Sequence, residues 1–352
     1  MPGEDVAWSQ LSLWIHCPEW FYPTGRSSCA AAAAVMSCRS YDPAPLRPSS
    51  RIIRAVAWGA VATGVAVPLV RRRLGLPVPV VTVASAAAPV ALCVALRRTP
   101  ARDVGTCALQ MWGYLAHYEM PNDDPNRLAS RVRVDYPVRI DRMLGFGELP
   151  GARLQRLLGR PGPGLRGPEQ ALVWCHWLWF LIPHGTLAYL LARRPERFER
   201  AALHTYAVFD LGLIGYWALP TAPPWYAAHH GRAPEMRRMM VEHGEAFWRH
   251  RWPALYRSLA GNPLAAMPSL HFATSVMAAR LLAEEGRIHA TVGWAYAGAL
   301  GFALVYLGEH YVVDLLAGLA LTEGVRRGAG RAGPLLRVLG RRVQALERAA
   351  HA

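Results

Sequence analysis

The feature that most limits what this chain can fold into is the way its apolar residues are gathered. Hydrophobic residues make up 53% of the sequence, a share that a water-soluble protein can carry. Here, however, they fall into runs of roughly 20, the length a helix needs to cross a bilayer. Backbone inside a bilayer has no water to bond to, so such runs become helices packed on helices. Residues 52–70, 77–96, 170–191, 201–219, about 269–283, 288–307 and about 310–325 read as spans. Residues 105–118 are apolar but short, and read as re-entrant, interfacial or tilted. The expected fold is all-α: a polytopic membrane helical bundle of about six to eight transmembrane helices.

The expected divisions follow the same pattern. Residues 1–50 mix Trp, Pro and Ser with a run of alanines and lack a basic start followed by an apolar core, so they are not a signal peptide. They read as a disordered extension, or as residues preceding a natural start at Met36, because ordinary membrane-protein sequence begins only near Arg51. N-terminal helices occupy 51–118, a polar extramembrane connection 119–169, a membrane core 170–326 and a basic cytoplasmic tail 327–352.

The formal charge is +15 and every one of the 39 Lys+Arg residues is Arg. These arginines flank apolar spans and form no separate basic domain, which argues against nucleic acid as a partner. Arg71–Arg73, the loop holding Arg193, Arg194, Arg197 and Arg200, and the tail from Arg326 are Arg-rich and read as cytoplasmic, with the first two spans inverted if 105–118 crosses fully. With the tail inside, His310, His271 and the Pro-rich stretch Pro220–Trp225 all fall on one non-cytoplasmic face. The six cysteines show neither a CxxC pair nor metal-ligand spacing.

Three ionisable residues stand where apolar helices are expected to begin, and such residues are costly in a membrane unless they serve a function. His310 and Asp314 are four apart and share a helix face. Ser269 and His271 follow Pro268, a residue common at helix starts, whose free N–H groups attract anions. Metal-free cleavage of a phosphate ester needs a nucleophile, an acid for the departing oxygen and donors for the phosphoryl oxygens. His310 steadied by Asp314, His271 as the acid, and Ser269 with its neighbouring N–H groups supply those parts. The same residues admit blander readings: a buried His–Asp pair, or a metal site from His271, His310 and Asp314. Glu309 reads as interfacial, Asp210 as a structural pairing inside a span, His184 and His204 as packing or interhelical hydrogen bonds, and Tyr306 and Tyr311 as packing.

The PSLH of 268–271, followed 39 positions later by the H-Y-x-x-D of 310–314, resembles the type 2 phosphatidic acid phosphatase (PAP2) superfamily. The closer resemblance is to the branch grouped with inositol phosphorylceramide synthases, in which PTAPP precedes these motifs, as at 220–224 here. It covers roughly residues 130–325 and implies a PAP2-like catalytic core at the membrane surface. It further implies that His310 is the nucleophile and forms a phosphohistidine, that Asp314 orients it, that His271 protonates the leaving group, and that the Pro268–Ser269 turn binds phosphate. No metal and no other cofactor is implied. The family pattern K-x6-R-P, P-S-G-H, S-R-x5-H-x3-D is not fully met: Ala303 and Leu304 stand in place of Ser-Arg, Leu270 in place of Gly, and no Lys or Arg aligns cleanly before Pro223-Pro224. Arg139, Arg142, Arg232, Arg237 and Arg238 are the candidate replacement cations, of which Arg139, Arg142 and Arg232 enter the expected site. The implied function is a cell-membrane phosphoesterase or phosphotransferase acting on a lipid phosphate or phospholipid head group, with a polyol such as inositol as a possible acceptor. The missing cations motivate the alternative, a non-catalytic lipid-binding or transport-associated membrane protein of the same fold.

Overall fold

The computed structural model describes residues 48–159, 162, 164–259 and 261–352, so the expectations for Met36 and the residues before 48 lie outside the described part. Among the described residues every regular element is helical, and two isolated parallel bridges are the sole strand-like pairings. Helices α1 (Pro48–Leu74), α2 (Val78–Ala95) and α3 (Pro100–Glu119) come first. α3 is longer than its apolar run. It is N-capped by Thr99, whose hydroxyl accepts the Arg102 N–H at 3.2 Å. Arg102 and Asp103 hide this first turn from a hydropathy reading, yet Arg102 is buried and bonded to Glu347 at 2.8 Å.

The polar connection holds three short helices, α4 (Pro125–Arg131), α5 (Asp135–Leu144) and α6 (Pro150–Leu158). The run 170–191 is not one span. It is broken into α7 (Gly167–Trp177) and α8 (Leu181–Arg193). The break is a tight turn in which the N–H groups of Trp179, Leu181 and Ile182 each bond the carbonyl three residues back, at 3.0 Å. Then follow α9 (Pro195–Ala218), three short helices α10 (Pro224–His229), α11 (Met239–Trp248) and α12 (Trp252–Leu259), and the final group α13 (Leu270–Ala283), α14 (Arg287–Tyr306) and α15 (Val312–His351). The expected tail is therefore the second half of one 40-residue helix, and it turns Ala350 and Val343 against Ala57, Val94 and Ala95 of the first hairpin.

Among the described residues α1, α2 and α14 are long and apolar enough to cross a membrane. They carry large apolar side chains on their outer faces, such as Val56 and Leu69, Val83 and Val90, and Ile288 and Val292. A lipid environment accounts for such faces; water does not. The core sits between α9 and α13, where Phe209, Leu213 and Tyr216 meet Leu270, Ala273 and Met277. Two glycines set that approach. A Cβ at Gly215 would lie 2.6 Å from the Pro268 ring and one at Gly212 2.4 Å from Leu270, so only the bare backbone of α9 admits the start of α13. The far end of this pair is polar: Glu285, after α13, takes Arg194 at 3.0 Å and Arg197 at 2.7 Å. The arginine-rich loop and the Pro268–His271 motif thus occupy opposite ends of α13.

Candidate active site

Three chain-distant segments meet at the start of α13. Thr221 lies between two others: its N–H bonds the Leu264 carbonyl at 3.0 Å, and its carbonyl accepts the Ala266 N–H at 3.1 Å. On its other side, Arg133 N–H reaches the Pro220 carbonyl at 2.8 Å, and Ala222 N–H the Arg133 carbonyl at 3.0 Å. The Pro-rich stretch is therefore more than a helix stop, because it sews the connection at 133 to the segment leading into Pro268. Trp225 N–H then reaches the Gly308 carbonyl at 3.2 Å.

The loop after α14 folds back on itself. Gly308 sits at φ +77°, a conformation that favours glycine. The turn it permits lets the N–H groups of Glu309 and His310 both reach the Leu304 carbonyl, at 3.1 and 3.0 Å. His310 is thereby delivered beside α13. The Ser269 N–H bonds the backbone carbonyl of Asp314 at 3.0 Å, which locks the two motifs together through their main chains.

The three predicted catalytic side chains are in contact. Asp314 is fully buried and His310 nearly so. One Asp314 oxygen, Oδ2, lies 3.2 Å from His310 Nδ1 and accepts the Tyr311 N–H at 2.9 Å. His310 Nε2 lies 3.3 Å from His271 Nδ1. A carboxylate can only accept, so His310 carries its proton on Nδ1 and keeps a lone pair on Nε2. That lone pair faces His271, whose Nδ1–H completes the chain. The order carboxylate, imidazole, imidazole can hold a nucleophilic nitrogen in one tautomer and set a second ring beside it for proton transfer.

The predicted phosphate ligands fare differently. Ser269 is fully buried, and its hydroxyl accepts the Phe272 N–H at 3.4 Å as the N-cap of α13. The Pro268 carbonyl accepts the Tyr216 hydroxyl at 3.0 Å. Both residues build the site from behind. Arg139 and Arg142 are exposed, while Pro137, Val138 and Asp141 face inward, because neighbours on a helix point about 100° apart. Arg232 is exposed and bonded to Asp135 at 2.9 and 2.5 Å. None of these three arginines has a hydrogen bond to the two imidazoles among the described residues. Arg237 pairs with Glu242 at 3.0 Å.

Arg238 is the candidate that packs on Trp225, whose N–H bonds the Gly308 carbonyl of the loop before His310. Its guanidinium lies 3.9 Å from the centroid of the Trp225 ring and donates to the Tyr256 hydroxyl at 2.8 Å. Its Nε is buried without a hydrogen-bond partner. Burial pushes the Glu309 carboxyl up, against the opposing pull of Arg238, His310 and the Trp225 hydrogen bond.

Several neighbours escaped the sequence reading. His271 is flanked by Trp179 and His176, with ring centroids 4.2 and 4.6 Å away. Trp179 is pinned by its indole N–H to Thr274 Oγ1 at 2.9 Å. Trp179 lies in the aromatic-rich stretch Trp174, Trp177, Trp179 and Phe180, of a kind that gathers at membrane interfaces. Asp141 accepts the Val312 N–H at 3.0 Å and the Val313 N–H at 2.9 Å. Burial pushes its carboxyl up to about 6, although these two bonds pull the other way. The remaining predicted neighbours are structural: Asp210 takes the Gln110 amide at 2.8 and 3.0 Å, His184 and His204 bond carbonyls one turn back, and Tyr306 bonds Glu169 at 2.9 Å.

Comparison with known proteins finds two curated relatives and a family model. A phosphoinositol dihydroceramide synthase of Bacteroides thetaiotaomicron is 31% identical over 153 residues, covering 40% of this chain and 49% of that one. An inositol phosphorylceramide synthase of Candida albicans is 32% identical over 160 residues, covering 42% of this chain and 33% of that one. The chain thus spans about half the length of the first relative and a third of the second. No solved structure matches it significantly. Residues 170–325, which hold His176, His271, His310 and Asp314, match the family model of the PAP2 superfamily.

Proposed function

We propose that this chain is a membrane phosphotransferase that moves a phosphorylated head group between lipid alcohols through a phosphohistidine on His310. The observation that carries the reading is the His310 imidazole held between the Asp314 carboxylate, at 3.2 Å, and the His271 ring, at 3.3 Å. His310 Nε2 attacks the phosphorus of a phosphodiester. The bond to the lipid oxygen breaks, and His271, protonated once the anionic phosphodiester lies beside it, gives that oxygen its proton. Asp314 steadies the positive charge that grows on His310. In the second half an acceptor hydroxyl gives its proton to His271 while its oxygen attacks phosphorus, and the N–P bond breaks. Water in place of the acceptor gives the hydrolase form of the same reaction. No step of this scheme draws on a metal ion.

The names of the two relatives, both inositol-containing sphingolipid synthases, favour an inositol-bearing head group and a ceramide-type acceptor. Arg238 is the cation we assign to the phosphate: the Trp225 face holds its guanidinium and leaves its Nε without a partner. The reaction takes place on the non-cytoplasmic face, since the motifs and the arginine-rich loop lie at opposite ends of α13.

The test is a chemical trap. The full chain is mixed with a phosphoinositol lipid carrying radioactive phosphorus and quenched in alkali, which preserves phosphohistidine. Label is expected on His310, absent from H310A, and chased into a new phosphodiester by a ceramide-type acceptor. Release of label only as a water-soluble inositol phosphate would assign the hydrolase form. A wild-type protein that takes up no label and forms no product overturns the reading.

A further inference from the structure

The helix that begins beside the nucleophile has its first free N–H groups closed by two carboxylates from different parts of the chain. Asp314 takes the Tyr311 N–H at 2.9 Å. Asp141 takes the next two, those of Val312 and Val313, at 3.0 and 2.9 Å, one on each of its oxygens. Asp141 is 1% exposed, and its helix is packed on the site by Val138, against Leu149, Ala227 and Tyr311. A side chain that spends both oxygens on consecutive N–H groups fixes position and direction together, as a single N-cap bond cannot.

We propose that Asp141 is a positioning residue for His310. By clamping the Val312 and Val313 N–H groups it sets the first turn of α15 and, through that turn, the angle at which His310 meets His271. The extramembrane connection is thereby part of the reaction centre, although Asp141 lies outside the segment 170–325 that matches the family. The inference rests on the phosphotransferase reading for its rate measurements, but not for its geometry. Sequence gives no hint of it, since Asp141 stands 171 residues from Val312 between two arginines that attract the eye.

The test compares D141N and D141A with the wild-type full chain in lipid nanodiscs. An asparagine keeps the shape but has only one acceptor atom, so it can hold one of the two N–H groups. Expected is a fall in kcat of about 10- to 100-fold for D141N, the scale of a misplaced reacting group, and a larger one for D141A, with donor KM within threefold and the melting temperature of D141N unchanged within a few degrees. Two activity-independent measurements accompany it: hydrogen exchange of the peptide spanning 310–316, expected to speed up in D141N, and the rate at which diethyl pyrocarbonate modifies His310, expected to change. If the wild type itself transfers no phosphoryl group, the functional reading fails, and exchange and modification still decide the clamp. Unchanged kcat in both variants of an active enzyme overturns the proposal. So does exchange and His310 reactivity identical to wild type, or a loss of rate that merely tracks loss of fold.

Discussion

Replacing Asp314 by Asn tests the proposed reaction most directly. The side chain is fully buried, so the substitution changes charge and hydrogen-bond sense with little change in volume. Asp314 Oδ2 serves both His310 Nδ1 and the Tyr311 N–H, and Oδ1 has no partner. An asparagine can keep its oxygen on that side, which preserves the tautomer and sacrifices only the charge. The loss is then that of a hydrogen bond to an ionised group, about 1.5–3 kcal/mol, or roughly one to two powers of ten in rate. With the amide turned round, its NH2 meets Nδ1, the ring proton moves to Nε2, and the attacking lone pair is gone. A wrong-tautomer imidazole costs about four powers of ten in serine proteases. The Tyr311 N–H opposes the turned amide, so the expected loss is about 10²–10³ in the rate of phosphohistidine formation, bracketed by those two limits. Rapid quench with labelled donor reads that rate apart from later steps, and donor KM should stay within threefold. Stability should hold or rise, because an uncompensated buried oxygen is replaced by a neutral group. A D314N protein that forms the intermediate within threefold of the wild-type rate would refute the assigned role of the carboxylate.

His271→Ala is expected to lower turnover of a lipid donor by about 10²–10⁴, yet still to form phosphohistidine from a p-nitrophenyl phosphodiester, whose leaving group needs no proton; equal losses on both donors would contradict His271 as the acid. Arg238→Ala should raise donor KM about tenfold or more by removing a charge-assisted contact, while R139A, R142A and R232A stay within twofold; the reverse pattern would return the phosphate to the outer arginines. Burial holds the Asp141 carboxyl at about 6, above its ordinary 3.8, with Asp314 adding to the rise. The folded form therefore binds this proton more tightly than the unfolded chain. The stability it contributes is complete below about pH 4 and lost as pH rises through about 6. From pH 4.5 to 7.5 the melting temperature of the wild type should fall by a few degrees relative to that of D141N, which has no proton to lose there; parallel curves would show that Asp141 is not so perturbed.

The sequence discloses what is local and conceals what is assembled. The four-residue spacing of His310 and Asp314 and the Pro-Ser start before His271 are local, so their chemistry is legible before any fold is known. The spans of α1, α2 and α14 are legible for the same reason, as unbroken apolar runs. Arg102 and Asp103 disguise the start of α3 because charge within a short window outweighs the partner, Glu347, that buries Arg102. Trp179 stands in an aromatic-rich stretch and His176 in no motif, and only the folded chain sets their rings beside His271. Ser269 and Pro268 are found, but that the Ser269 hydroxyl accepts the Phe272 N–H and the Pro268 carbonyl the Tyr216 hydroxyl no spacing rule foretells. Choosing among five arginines needs the third dimension, since only Arg238 is set on Trp225 beside the loop of Glu309.

The proposed reaction also requires the two imidazoles to part. They stand 3.3 Å apart, nitrogen to nitrogen. In-line transfer needs the phosphorus about 3–3.5 Å from the attacking nitrogen and the departing oxygen about 3 Å from the acid, so the nitrogens must separate to roughly twice their present distance. The backbone cannot give way, because the Ser269 N–H is tied to the Asp314 carbonyl and both residues are fully buried. His310 cannot swing without leaving Asp314. His271 can: it is half-buried, it has no second partner of that kind, and its neighbours are ring faces that let it slide. The nucleophile is therefore the fixed member of the pair and the acid the mobile one, which suits a site whose charge stabilisation must be set in advance while the proton follows the leaving oxygen. A structure with vanadate bound as a phosphate mimic is expected to show His310 still on Asp314 and the His271 ring displaced between Trp179 and His176. His310 drawn off Asp314 with His271 unmoved would reverse this assignment.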